Sequence, residues 1–107
     1  MKSTAPPVFL DTSYVYALVN TRDQWHECAV SWQRQVIVEQ RALLCTESIL
    51  FEIADGLASI KFRAEAARIV RALESNLFVE VVAASKQLFF DALELYEQHQ
   101  DKDWGMT

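Results

Sequence analysis

The stretch VFLDTSYVYAL at residues 8–18 decides the fold. Its first three residues form a short, continuous apolar run, which is typical of a buried strand, and residues 13–19 follow as a short helix. Asp11 lies at the junction, directly before Thr12 and Ser13. Two interpretations are open for this junction. Either Asp11, Thr12 or Ser13 caps the helix, or Asp11 is a metal ligand held by the strand end, with Ser13 hydrogen-bonded to it.

Composition predicts a single globular domain over residues 1–107. The chain is 51% hydrophobic and 23% charged, with a net charge of -5 that argues against broad, nonspecific binding to polyanions. No apolar run approaches the roughly 20 residues that span a bilayer, and the polar opening MKSTAPP does not resemble a signal peptide. Cys28 and Cys45 lie in apolar-periodic segments. We therefore predict reduced core thiols, consistent with a cytoplasmic protein.

The remaining pattern predicts strands that alternate with helices, in the order β-α-α-β-α-α-β-α. This order favours a parallel sheet flanked by helices. The segment at 25–38 places Trp25, Cys28, Ala29, Trp32 and Val36 on one helical face. For Trp25 and Trp32 we expect packing in the core or in a dimer. Thr46 and Ser85 are predicted helix caps. The predicted strands lie at 8–10, 42–45 and 77–82, and the predicted helices at 13–19, 25–38, after Thr46, at 62–74 and after Ser85.

A second acidic position follows the second predicted strand, in LLCTESILFE at 43–52. Parallel α/β sheets place their chemistry at the carboxyl ends of the strands. If the first two strands are neighbours, Asp11 and Glu52 converge above the same edge of the sheet. Glu52 also lies roughly opposite the aliphatic stripe of its helix, so a solvated surface acid is the competing interpretation. Glu47 is a rival, although the helix dipole alone explains an acid in the first turn.

At these residues the chain resembles a family. VFLDTSYVYAL, TRDQWHECAV, LLCTESILFEIADGLA and DKDWGMT, in that order, resemble a PIN-domain nuclease of the kind found in VapC-type toxins. The resemblance implies a three-layer α/β fold, carboxylates that hold Mg²⁺ or Mn²⁺, and hydrolysis of RNA phosphodiester bonds. By position, Asp11 and Glu52 match the first two acids of the family, and Ser13 matches the hydroxyl partner of the first. The resemblance also implies an antitoxin protein as a partner.

The family's third acid has no match in this chain. That acid usually follows a DW-x-x-T segment on the next helix, and this sequence ends at Thr107. We therefore expect a PIN-like domain that lacks its C-terminal strand and helix. Asp101 and Asp103 lie near the right place as additional metal ligands, although they do not match the third acid. The missing elements would leave apolar surface uncovered, and we expect self-association through Phe89, Phe90 and Leu95.

RNA binding by an acidic protein requires a local basic surface. The helix at 62–74 and the residue before it place Lys61, Arg68 and Arg71 on a polar face, with Glu65 beside them. An ordinary solvated face is the competing interpretation.

Two other classes of protein remain open. One is a catalytically incomplete PIN fold kept as a binding or interaction module. The other is an unrelated small α/β protein in which Asp11 only caps a helix.

Overall fold

The computed structural model describes residues 5–103, and within them the predicted order of elements is confirmed. The boundaries differ from the predicted ones by one or two residues. The three strands are β1 (Val8–Phe9), β2 (Leu43–Thr46) and β3 (Val79–Val82). The five helices are α1 (Thr12–Val19), α2 (His26–Val38), α3 (Glu47–Gly56), α4 (Ile60–Ser75) and α5 (Lys86–Gln98).

The strands form one parallel sheet in the order β1-β2-β3, so the first two strands are neighbours as expected. Val8 lies opposite Leu43, and Leu43 lies opposite Val79. Each connection between strands contains two helices, which is the length of crossover that parallel pairing requires. β1 and α1 are separated by only two residues, so Asp11 is held where the strand ends and the helix begins.

The core lies between the sheet and the helices α1, α3 and α4. Its largest fully buried side chains are Ile53 and Cys45, which are 0% exposed. One face of α4 packs against this cluster through four half-buried residues: Phe62, Ile69, Val70 and Leu73. The remaining buried members of the cluster are Leu10, Val15, Ile49, Leu50, Leu57 and Ala66.

Both predicted helix caps are present. The Thr46 hydroxyl accepts a hydrogen bond from the Ile49 N–H of α3 at 3.2 Å. The Ser85 hydroxyl accepts from the Leu88 N–H of α5 at 3.0 Å. Each cap satisfies a donor that the first helical turn leaves without an internal partner.

The predicted apolar face of α2 is mostly exposed, so Trp25 and Trp32 do not pack in the core, and their packing in a dimer stays a prediction. Trp25 is 62% exposed and Trp32 is 49% exposed, and Cys28 is also exposed. Of the residues on this predicted face, only Ala29 is fully buried. The spacing of apolar residues shows which of them share a helical face, but other elements decide which face is covered. The predicted core thiol is confirmed for Cys45 and wrong for Cys28.

Helix α5 is amphipathic but contains no fully buried residue. Phe89 is 54% exposed, Phe90 is 53% exposed and Leu95 is 52% exposed, and the two phenylalanine rings meet edge to face at 5.5 Å between centroids. The expected uncovered apolar surface is therefore present on this helix. Across residues 5–103 no helix is both long and apolar enough to cross a membrane.

Candidate active site

Asp11 occupies the cap position of α1 with an extended backbone, but its side chain makes no capping hydrogen bond. Instead, the Ser13 hydroxyl donates to Oδ2 of Asp11 at 2.7 Å. Both residues are exposed, whereas Thr12 between them is only 3% exposed. Because Ser13 is only two residues from Asp11, its hydroxyl can orient the carboxylate. This hydrogen bond leaves Oδ1 of Asp11 open to solvent or to a ligand. The carboxylate of Asp11 therefore does not cap α1.

Glu52 lies on α3, which packs against α1. The residue is exposed. Its backbone carbonyl accepts a hydrogen bond of 2.6 Å from the hydroxyl of Tyr16 on α1. Asp11 therefore directly precedes α1, Glu52 lies on the neighbouring α3, and the Tyr16 side chain connects these two helices.

Tyr16 makes a contact with α3 that the sequence did not reveal. Its ring lies against the end of α3, so closely that a Cβ atom built on Gly56 would be 1.8 Å from the Tyr16 hydroxyl oxygen. Burial raises the pKa of the Tyr16 phenol, and the nearby carboxylates of Glu52 and Asp55 raise it further. The phenol thus remains a hydrogen-bond donor at neutral pH. The one signal in the sequence was a glycine inside a helical pattern, which can mark a close approach.

Glu47 has a structural partner in the loop that follows the neighbouring strand, β3. Its carboxylate accepts a hydrogen bond from the backbone N–H of Ala84, in the loop between β3 and α5. This contact ties the first turn of α3 to the segment that leads into α5. A structural role, in addition to the favourable helix dipole, therefore accounts for an acid at this position.

The remaining acidic candidates lie after α5. Asp101 forms an exposed ion pair with Lys102 at 3.7 Å, and Asp103 is exposed. Within residues 5–103 no group of three or more His, Cys, Asp or Glu side chains is placed so that it could hold a metal ion. The donors at Asp11 and Glu52 are carboxylate oxygens, which suit Mg²⁺ or Mn²⁺ in kind. Two such ligands are consistent with an ion that keeps several of its waters.

The predicted basic residues are exposed, but they differ in their surroundings. Arg68 is paired with Glu65 one turn away. The Lys61 ammonium lies 5.3 Å from the centre of the Phe62 ring. Arg71 presents its side chain to solvent on the same helix. Their role in RNA binding stays a prediction.

An open cleft of about 660 Å³ lies between α1, α2 and α4. Its lining is mostly apolar and includes Val15, Val30, Ile37 and Ile69, and Arg68 is one of its polar residues.

The Nδ1 atom of the half-buried His26 lies 2.7 Å from the carbonyl oxygen of Ala17, so this imidazole fixes the end of α1 to the start of α2.

Comparison with known proteins agrees with this architecture. The crystal structure of VapC20 from Mycobacterium tuberculosis, described as a sarcin-ricin loop cleaving toxin, matches with a TM-score of 0.72 and 21% sequence identity. The match covers 92% of this chain and 73% of that one, and at this identity it shows a shared fold. None of the curated proteins matches the chain. The family model of the PIN domain matches residues 8–105. The chain therefore belongs to the PIN-domain family.

Proposed function

We propose that this protein is a divalent-metal-dependent ribonuclease that hydrolyses RNA phosphodiester bonds. The observation that supports this most directly is the carboxylate of Asp11. It is exposed at the carboxyl end of a parallel strand and hydrogen-bonded to Ser13, on a PIN fold. A carboxylate used only as a helix cap would accept from the helix N–H groups instead.

In this proposal Asp11 and Glu52 hold Mg²⁺ or Mn²⁺ through carboxylate oxygens. A bound ion of this kind lowers the pKa of a coordinated water and neutralises charge on the phosphate. Ser13 keeps one oxygen of Asp11 engaged and thereby orients the other. Asp101 and Asp103 remain candidates for additional negative charge at the site. Because the protein is acidic overall, the RNA backbone needs a local basic contact, which we assign to Lys61, Arg68 and Arg71 on α4.

The biological setting we propose is a cytoplasmic toxin of a toxin–antitoxin pair. The structural likeness to VapC20, which is described as a toxin, supports this setting. The partners would be RNA, an antitoxin protein and a second copy of this chain. The exposed apolar side chains of α5 support the last of these.

A second candidate function is an interaction module with an incomplete nuclease site. It is favoured by one observation, the lack of any three-residue acidic group that could hold a metal within residues 5–103. The two candidates differ in whether the chain binds Mn²⁺ and cleaves RNA.

Titration with Mn²⁺, followed by the melting temperature, tests the proposed site. A ligand bound only by the folded state raises stability by about 2.7 kcal/mol at 100 times its Kd. We expect a rise in melting temperature for the unsubstituted chain and none for Asp11→Asn. RNA cleavage with Mn²⁺ should be lost in the same variant. Asp91→Asn is the matched control, because Asp91 is an exposed acid on α5 that accepts a hydrogen bond from Gln87. No rise with millimolar Mn²⁺ in the unsubstituted chain would refute the metal site.

Asp11→Ala separates the site from a capping role. Loss of a cap costs about 1 kcal/mol. Since no cap bond is present, we expect the metal-free Ala variant to unfold at nearly the same urea concentration as the unsubstituted chain. A loss of the full capping energy would restore the interpretation of Asp11 as a structural residue.

A further inference from the structure

We propose that Tyr16 is a positioning residue of the site: its hydroxyl fixes the backbone at Glu52 relative to the helix that begins beside Asp11. This inference rests on the proposed function, because it concerns the two acids assigned there. It assigns to Tyr16 a role in metal affinity and in turnover, beyond its packing in the fold.

The first support is the geometry of the bridge. The Tyr16 hydroxyl donates to the Glu52 carbonyl at 2.6 Å, across 36 residues of sequence. Tyr16 lies five positions after Asp11, roughly one and a half helical turns along the same helix. A single side chain therefore spans from the element that starts at one acid to the residue that bears the other.

The second support is the close contact between the Tyr16 ring and Gly56. Gly56 follows Glu52 by one helical turn, and a Cβ atom there would lie 1.8 Å from the phenol oxygen and 2.2 Å from Cζ. Any other residue at position 56 would displace the ring. The backbone at Gly56 is not in the left-handed region, so the turn itself does not require glycine. The close approach of Tyr16 is what requires it.

The bridge acts on the backbone of Glu52 and leaves its carboxylate free. The carbonyl of a helical residue has two lone pairs, so it can accept from the phenol as well as from the helix N–H four residues on. Asp55 and Glu52 are the carboxylates that face the phenol from α3. Holding the backbone narrows the set of positions available to the Glu52 carboxylate. Partners that orient a metal ligand in this way typically alter metal affinity or activity by about 10- to 100-fold when they are removed.

Tyr16→Phe tests the inference because it removes the hydroxyl and keeps the ring on Gly56. We expect the Kd for Mn²⁺, measured by titration on the full 107-residue chain, to rise about tenfold. At saturating Mn²⁺ we expect kcat for RNA cleavage to fall while KM for RNA stays unchanged, because no RNA contact is lost.

Two controls separate positioning from stability. Tyr14→Phe makes the same chemical change on the same helix, at a half-buried tyrosine whose hydroxyl has no hydrogen-bond partner within residues 5–103. Ile69→Val removes a methyl group that packs against the core from α4, so it lowers stability modestly without touching either acid. Both should bind Mn²⁺ as the unsubstituted chain does.

The outcomes distinguish this inference from the proposed function. If the unsubstituted chain binds no Mn²⁺, the proposed site fails and the positioning role fails with it. If the unsubstituted chain binds Mn²⁺ and Tyr16→Phe binds it equally well, only the positioning role is overturned. An equal loss of affinity in Ile69→Val would also overturn it, because the effect would then follow from stability alone.

Discussion

Substitution of Gly56 by alanine tests the contact between α1 and α3 in isolation. The added Cβ would lie 1.8 Å from the Tyr16 hydroxyl oxygen, 2.2 Å from Cζ and 2.7 Å from Cε1. None of these distances is sterically tolerable, so the ring must rotate away from α3. The hydrogen bond from Tyr16 to the Glu52 carbonyl is lost in that movement.

The expected cost follows from three contributions. Loss of the hydrogen bond costs about 1 kcal/mol, and exposure of part of the ring costs about 1–2 kcal/mol. Alanine in place of glycine in a helix returns about 0.5–1 kcal/mol. Gly56→Ala should therefore lower the free energy of unfolding by roughly 1–2.5 kcal/mol. In a Tyr16→Ala background the clash is absent, so Gly56→Ala should raise the free energy of unfolding by about 0.5–1 kcal/mol.

A double-mutant cycle by urea denaturation measures this change of sign. The four proteins are the unsubstituted chain, Gly56→Ala, Tyr16→Ala and the double variant, each without metal. We expect a coupling energy of about 2–3 kcal/mol, the size reached by residues in direct contact. Additive effects, or a Gly56→Ala variant as stable as the unsubstituted chain, would show that the ring does not rest on Gly56.

Three further predictions concern other parts of the molecule. Ser13→Ala removes a hydrogen bond between exposed groups. Unfolding in urea without metal should shift by less than about 0.5 kcal/mol, while Mn²⁺ affinity falls about tenfold; unchanged affinity would remove Ser13 from the site. Ellman's reagent should label Cys28 in the native protein and Cys45 only after denaturation, because Cys45 is 0% exposed and burial raises the pKa of its thiol. Labelling of both thiols in the native protein would contradict the burial of Cys45. Phe89→Ser with Phe90→Ser should reduce self-association in light scattering, and an unchanged mass would place any dimer contact elsewhere.

The fold was predictable because its signals are local and repeated along the chain. Short apolar runs separated by long amphipathic segments predict a parallel sheet wherever they occur. The hydroxyls of Thr46 and Ser85 predicted two helix starts through a bond that spans three residues. The burial of α2 was not predictable in the same way. Trp25 and Trp32 share a face, but which face of α2 is covered depends on α1, on the other side of a turn.

The candidate site shows the same difference between local contacts, which could be predicted, and contacts between helices, which could not. The hydrogen bond from Ser13 to Asp11 joins residues two positions apart, and the order of residues alone suggested it. The bridge from Tyr16 to Glu52 joins residues 36 positions apart and was missed. Its recognition needed the packing of α1 on α3, which no local pattern encodes. Gly56 was the only trace of this contact in the sequence.

The strand order has a consequence for how the protein is made. Because the spatial order β1-β2-β3 is also the order along the chain, each strand emerges from the ribosome beside one that is already available. Val8 pairs with Leu43 and Leu43 with Val79, so both pairings close segments of about 35 residues at a similar entropic cost. We expect the pair β1–β2, with α3 behind it, to form during synthesis. Helix α5, which buries no residue fully, would then be added to a sheet that already exists.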